Sequence, residues 1–226
     1  MDGMYTTLCS GFSTLKTWLL WILAPPICAA CKCMLAERTV LCTRCKHMIT
    51  PLVSATIFVN ATDTLSVSCI GEYKDPLKKL ILAKGHRDYV ASHELGQLMY
   101  DLTSLRDMQF DIVVPIPLHW SRYARRGYNQ AHEMAIAVAE RLNIPCVDLL
   151  KRTRATALQS SVNHTERVSN VQRAFAFAGD PSLYVGKRIL LVDDLMTTGA
   201  TLKTAAQLLV KLAPASVHAV VACRVR

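Results

Sequence analysis

Two adjacent aspartates, Asp193 and Asp194, follow an apolar run and precede a short turn rich in threonine. The run at 188–192 predicts a buried strand, which would deliver both carboxylates to the carboxyl edge of a sheet, where open α/β sheets place their ligands. The turn predicts a helix start, where backbone N–H groups and three hydroxyls form a cradle for a phosphate monoester. The residues assigned to this cradle are Thr197, Thr198, Gly199, Ala200 and Thr201.

The acidic pair restricts what such a cradle can hold. Carboxylates beside a phosphate repel it unless they accept hydrogen bonds from sugar hydroxyls or face a divalent cation. A phosphate next to adjacent hydroxyls describes a ribose 5-phosphate. The pattern therefore favours a sugar-phosphate ligand, with Gly199 allowing the backbone to approach the phosphate closely.

Five of the nine cysteines lie within the 18 residues 28–45, and four of them form two Cys-x-x-Cys pairs. Four thiolates at about 2.3 Å close a structural zinc site that has no open position, and metal binding then supplies much of the folding energy. The spacing predicts such a site in a reducing compartment. Cys33 is an alternative to Cys31 as a ligand, and unrelated free thiols or a redox pair are the other interpretation. The predicted ligands are Cys28, Cys31, Cys42 and Cys45.

Alternating strands and helices must position these groups. Apolar runs predict strands at 65–70, 110–114, 188–192 and 216–221. Helical spacing predicts helices after Asp75-Pro76 and at 91–102, 129–142 and 199–212. This alternation predicts an α/β fold with a parallel sheet covered by helices. Residues 1–60 are interpreted as an N-terminal helix plus the zinc module, and residues 61–226 as the main domain.

Composition excludes several protein classes. The chain has 226 residues, of which 51% are hydrophobic and 19% charged, which excludes a disordered or fibrous protein. The 26 basic residues exceed the 17 acidic ones and give a net charge of +9. A balance of this size favours anionic partners such as nucleic acid or phosphates.

An apolar run at 18–24 precedes Pro25-Pro26 and the cysteines. Seven residues are far fewer than the roughly 20 that a membrane span needs. The run predicts a short amphipathic helix that packs on the metal module or the main domain. Peripheral membrane contact through Trp18 and Trp21 is the alternative. We expect a cytoplasmic protein without a transmembrane segment.

Segment 189–202 resembles the phosphoribosyl pyrophosphate (PRPP) motif of the type I phosphoribosyltransferases. The resemblance implies that Asp193 and Asp194 bind the ribose hydroxyls and act as the catalytic pair, and that residues 197–201 bind the 5′-phosphate. Further segments, together with the cysteine pairs, resemble the ComF family of predicted amidophosphoribosyltransferases, which has a link to DNA uptake and transformation. These segments are 73–77, 114–119, 127–130 and 150–154, with Arg122, Gln159, Arg167, 170–171 and 173–175.

The basic residues near the predicted strand ends have three interpretations. They can stabilise a pyrophosphate leaving group together with Mg²⁺, or follow a nucleic-acid backbone. In the second case Tyr123, Tyr128 or His119 would stack on single-stranded bases. A solvated charged face is the third. The candidates are Arg125, Arg126, Lys151, Arg152 and Arg154.

Two functions follow from the resemblance. An enzyme would bind Mg²⁺-PRPP and transfer the phosphoribosyl group to an unidentified acceptor, by positioning and charge stabilisation. A non-catalytic protein would keep the pocket as a ligand sensor or scaffold and bind single-stranded DNA, working with recombination or uptake proteins.

Overall fold

The computed structural model describes residues 26–37, 39–82, 87–118, 127–153 and 174–225, so the predicted helix at 18–24 lies outside the described residues. A five-stranded sheet runs through this part of the chain, with the spatial order first, second, seventh, sixth and third strand. The first strand is antiparallel to the second, and all other neighbours are parallel. The strands of this sheet are β1 Leu52–Phe58, β2 Thr64–Glu72, β3 Ile112–Pro115, β6 Arg188–Met196 and β7 Ser216–Arg224. A separate antiparallel pair consists of β4 Leu150–Arg152 and β5 Phe175–Phe177.

Helices cover the sheet, which confirms the predicted α/β fold with a mostly parallel sheet. The helix predicted at 91–102 begins four residues earlier, and the one predicted at 199–212 ends in a 3₁₀ turn at Val210–Leu212. No helix in the described ranges combines the length and apolarity needed to cross a bilayer. The helices are α1 Thr43–His47, α2 Leu77–Leu82, α3 Arg87–Leu102, α4 Gln130–Leu142 and α5 Ala200–Leu209.

Strand β6 is buried on both faces, as parallel strands between helical layers are. Leu190 and Val192 belong to the core that contains residues of α3 and α4. Ile189 and Leu191 belong to the opposite core, which contains residues of α5. The continuous apolar run follows from this double burial, and it holds the following acidic pair on a rigid support.

The cysteine-rich segment, residues 26–37 and 39–49, packs against the rest of the protein. Glu94 of α3 is 6% exposed, accepts a hydrogen bond from the backbone N–H of Val40 and pairs with Lys46 Nζ at 2.9 Å. Residues 52–58 just after this segment form β1 and join the sheet. Six residues of the segment share one core with α3 and α4: Cys28, Leu35, Val40, Leu41, Cys45 and Ile49.

Helices α3 and α4 approach closely at Gly96. A Cβ atom at this position would clash with the carbonyl oxygen of Met134 and lie 2.7 Å from Ala137 Cβ. Because the first neighbour is backbone, Gly96→Ala must push the helices apart, and we expect a loss of about 3 kcal/mol in the free energy of unfolding. Urea denaturation measures this. The nearby Gln97→Ala serves as the control, and equal stabilities of the two variants would contradict the close approach.

His218 on β7 is a buried imidazole whose Nε2 lies 3.0 Å from Ser68 Oγ. Burial disfavours the charged ring and lowers its pKa from 6.5 to about 4. The unfolded chain therefore binds the extra proton first as the pH falls. This group's contribution to the free energy of unfolding is fully present above pH 6.5. It is lost as the pH falls from 6.5 to 4, and the total loss is about 3 kcal/mol.

We expect His218→Gln to flatten the dependence of the unfolding free energy on pH in this window. Urea denaturation at several pH values between 4.5 and 7 measures the slope. The exposed His47 provides the control, since His47→Gln removes a histidine without removing a buried one. A wild-type slope in His218→Gln would assign the acid sensitivity to other groups.

Candidate functional site

The acidic pair lies near the carboxyl end of β6, between β3 and β7. Asp193 is opposite Val221 in the register of β7. Asp193 Oδ1 accepts a hydrogen bond from the backbone N–H of Asp194 at 2.9 Å. Both aspartates retain some solvent exposure at the sheet edge, so both carboxylates are placed where a ligand can reach them.

The surroundings of the pair disfavour the ionised form of Asp193. Asp193 is surrounded closely enough that desolvation raises the pKa of its carboxyl well above the usual value, and the charge of Asp194 raises it further. The positive charge of Arg152 acts in the opposite direction. Hydroxyl donors or a cation at this position would stabilise the ionised pair. This chemistry fits a ligand that carries neighbouring hydroxyl groups and is accompanied by Mg²⁺.

The turn after β6 leads into α5 through Gly199, which is the N-cap residue with φ 77°. This left-handed conformation favours glycine. A Cβ atom there would also lie 2.6 Å from Ile57 Cδ1 of β1. The left-handed turn therefore requires the glycine, and β1 packs closely against it through the end of the Ile57 side chain, a contact that the sequence does not reveal.

The remaining turn residues present polar groups at the start of α5. Thr197, Thr198 and Ala200 are exposed, and Thr201 is half-buried. Thr198 Oγ1 accepts from the backbone N–H of Ala200 at 3.4 Å. The first turn of α5 contains no acidic residue, so its dipole and N–H groups can hold an anion.

Two of the five basic candidates fall in the described residues, both on β4. Lys151 is exposed, and the Arg152 guanidinium carbon lies 5.5 Å from the ring centroid of Phe175. Arg152 is near enough for its positive charge to oppose the rise in the pKa of the Asp193 carboxyl. Arg125, Arg126 and Arg154 lie outside the described residues, as do His119 and Tyr123.

The segment that follows β3 is tied to the same sheet edge. The backbone N–H of Ile116 donates to the carbonyl of Val192 at 2.9 Å. Asn129 Nδ2 donates to the carbonyl of Ile116 at 3.1 Å, and its Oδ1 accepts from the N–H of Ala131 as the N-cap of α4. Asn129 thus fixes the start of α4 next to β6. From the sequence, an asparagine just before a helical pattern indicates the start of a helix. The bond from Asn129 to the segment after β3 has no signal in the sequence.

The cysteine cluster brings four sulfur atoms within 4.8 Å of one another, those of Cys28, Cys31, Cys33 and Cys42. Cys31 Sγ lies 3.4 Å from Cys33 Sγ and 3.7 Å from Cys42 Sγ. Ligands bound tetrahedrally to zinc at about 2.3 Å are about 3.8 Å apart. The donor type and spacing therefore fit a zinc ion.

Cys45, the other predicted ligand, lies beside this group and is 3% exposed. Burial and interactions with the thiols of Cys42, Cys31 and Cys28 raise its pKa to about 12. Hydrogen bonds from the backbone and thiol of Cys33 lower the pKa of Cys31 to about 6, which favours the thiolate that a metal binds. The cluster therefore contains five thiols for four ligand positions.

Comparison with known proteins gives the family. The profile of the phosphoribosyl transferase domain matches residues 125–226. Competence protein F of Haemophilus influenzae is 33% identical over 150 residues, which cover 63% of this chain and 66% of that protein. DNA utilization protein YhgH of Escherichia coli is 31% identical over 162 residues, or 69% and 70% of the two chains. Competence protein ComFC of Streptococcus pneumoniae is 36% identical over 112 residues, or 50% and 46%. The chain belongs to the ComF family of proteins with a phosphoribosyltransferase domain.

Proposed function

We propose that this protein binds Mg²⁺-PRPP at the carboxyl end of β6 and transfers its phosphoribosyl group to an acceptor, with release of pyrophosphate. The observation that carries the proposal is the acidic pair near the end of a buried strand, followed after a short threonine turn by a positive-φ glycine that opens a helix. This arrangement lies inside the matched phosphoribosyl transferase domain.

Each group has a role in this proposal. Asp193 and Asp194 accept hydrogen bonds from the ribose hydroxyls and hold the anomeric carbon in place. Residues 197–201 hold the 5′-phosphate with backbone N–H groups and hydroxyls. Mg²⁺ would supply positive charge for the departing pyrophosphate. Arg152 and Lys151 stabilise the negative charge that develops on the pyrophosphate. Arg125, Arg126 and Arg154 are further candidates for this role.

The cysteine cluster is proposed to hold structural zinc. Cys28 and Cys42 are common to the predicted ligand set, to its alternative with Cys33 in place of Cys31, and to the group of four neighbouring sulfur atoms. We assign Cys45 as the fourth ligand because it completes the second Cys-x-x-Cys pair, whereas Cys33 completes the group of four sulfur atoms within 4.8 Å. A closed site of this kind stabilises the fold and takes no part in transfer.

The relatives' names support a role in DNA uptake or utilisation. We propose that the protein acts in the cytoplasm on internalised DNA or its products, with recombination or uptake proteins as partners. The second candidate function is single-stranded DNA binding without turnover, which the net charge of +9 favours. Lys151 and Arg152 would then contact phosphates.

Calorimetric titration of PRPP into the protein with and without Mg²⁺ tests the proposed function. Binding that requires Mg²⁺ supports it, and no binding in either buffer rejects it. Titration of a single-stranded oligonucleotide at 50 and 200 mM salt tests the second candidate. Backbone binding predicts a steep loss of affinity over this range, roughly in proportion to the number of phosphates contacted.

A further inference from the structure

The phosphate turn, residues 197–201, has a buried glycine among exposed neighbours. Thr197, Thr198 and Ala200 are exposed, whereas Gly199 is buried. The atoms nearest to the place where a Cβ atom of Gly199 would lie are Ile57 Cδ1 at 2.6 Å, Ile57 Cγ1 at 3.5 Å and Met196 Sδ at 3.7 Å. Two apolar side chains therefore support the turn from below, one from β6 itself and one from the distant strand β1.

The hydrogen bonds of the turn are local. Thr198 Oγ1 accepts from the backbone N–H of Ala200 at 3.4 Å, and the carbonyl of Gly199 accepts from the N–H of Lys203 at 2.9 Å. These bonds hold the turn to the first residues of α5, but they do not join it to the edge of the sheet. The apolar contact between Gly199 and Ile57 makes that connection.

The side chain of Ile57 stands on a well-fixed support, the hairpin of β1 and β2. Ile57 is opposite the fully buried Leu65 in the register of β2. The hairpin is closed by a hydrogen bond from the N–H of Val59 to the carbonyl of Asp63 at 2.9 Å. Gln207 Nε2 of α5 donates to the carbonyl of Val59, also at 2.9 Å. The hairpin therefore contacts α5 at its first turn and again two turns later.

We propose that Ile57 is a positioning residue, whose terminal methyl group holds Gly199 and the backbone N–H groups of the phosphate turn where they bind the sugar's 5′-phosphate. This inference rests on the proposed binding of PRPP. Hydrogen bonds weaken steeply as their geometry departs from the optimum, and a displacement of about 1 Å at a functional group can cost about 100-fold. A strand at the edge of the sheet thus contributes to ligand binding without touching the ligand.

Ile57→Val is a sharp test, because it removes only the Cδ1 methyl group and keeps a β-branched residue in the strand. We expect the Kd for Mg²⁺-PRPP and for ribose 5-phosphate to rise about fivefold in calorimetric titrations, and at least about tenfold in Ile57→Ala. The Kd for Mg²⁺-pyrophosphate should stay at its wild-type value, because this ligand lacks the 5′-phosphate that the turn binds. A general defect in folding would weaken all three ligands.

Val217→Ala is the matched control. Val217 is a half-buried residue that packs on the same core as Ile57, at the start of β7, and the substitution removes two methyl groups. It should leave all three Kd values unchanged, and thermal melting shows that each variant is folded. NMR ¹⁵N relaxation measures the mobility of the turn without any ligand. The order parameters of residues 198–201 should fall in Ile57→Val and stay unchanged in Val217→Ala.

Two results would overturn the assignment: wild-type affinity for PRPP in both Ile57 variants, or an equal loss of affinity for Mg²⁺-pyrophosphate. Failure of the proposed function looks different, because the wild-type protein then binds no PRPP. In that case relaxation still decides the role of Ile57. A turn that becomes mobile in Ile57→Val supports the positioning role, and a turn of wild-type mobility rejects it.

Discussion

Asp194→Ala is expected to abolish Mg²⁺-dependent binding of PRPP while leaving the fold intact. The variant removes a carboxylate that would accept hydrogen bonds from the ribose hydroxyls, and hydrogen bonds to charged groups contribute about 1.5–3 kcal/mol each. Two such bonds correspond to a loss of at least about 100-fold in affinity. The side chain lies at the partly exposed sheet edge, so its removal creates no large buried cavity. Calorimetric titration measures the change.

Asp107→Ala is the matched control, because Asp107 is an exposed aspartate in the 3₁₀ turn Ser104–Asp107, outside the proposed site. It should bind PRPP with wild-type affinity, and both variants should melt within a few degrees of the wild type. Undiminished affinity in Asp194→Ala would show that the sugar lies elsewhere. Equal losses in both variants would indicate a general charge effect.

The proposed zinc is expected to contribute strongly to the stability of the protein. Cys42 belongs to every possible ligand set, so Cys42→Ser should lose this zinc whichever set is correct. Structural zinc contributes a large share of the folding energy of small modules, and this module shares its core with α3 and α4. We expect a loss of several kcal/mol and a fall in melting temperature of at least about 10 °C for a chain of this size.

Metal analysis of the purified variants, with thermal melting, measures both consequences. Cys146→Ser is the control, since this half-buried thiol lies outside the cluster, and it should retain the metal. Cys33→Ser and Cys45→Ser then identify the fourth ligand: our assignment expects loss only in Cys45→Ser. Wild-type metal content in Cys42→Ser would show that none of these ligand sets is right.

The central strand and its turn could be predicted from the sequence because their signals are local. A continuous apolar run, two acids, threonines and a glycine identify β6 and the start of α5 without reference to any distant residue. β1 was not predicted. Its side chains alternate poorly between exposed and half-buried, and its pairing has a register irregularity between Leu52 and Ala55. Only its pairing with β2 makes it a strand.

The candidate site also has one part that a local motif predicts and another that only the fold assembles. The acidic pair and the threonine turn are contiguous, so the sequence contains them as a motif. By contrast, the fold alone brings together residues near 117, 132 and 148, which line a cleft at the end of β3. The cysteine spacing predicts a metal cluster, but five thiols within 18 residues do not by spacing alone determine which four bind.

The contact between Glu94 and the cysteine-rich segment has a consequence for how this protein could evolve. A module joined only by a linker can be lost, gained or exchanged between genes as a cassette. Here, deletion of the segment would leave the Glu94 carboxylate without Val40 and Lys46 and would uncover apolar residues of α2 and α3. The segment and these helices must therefore change together, so recombination endpoints that separate them are not expected.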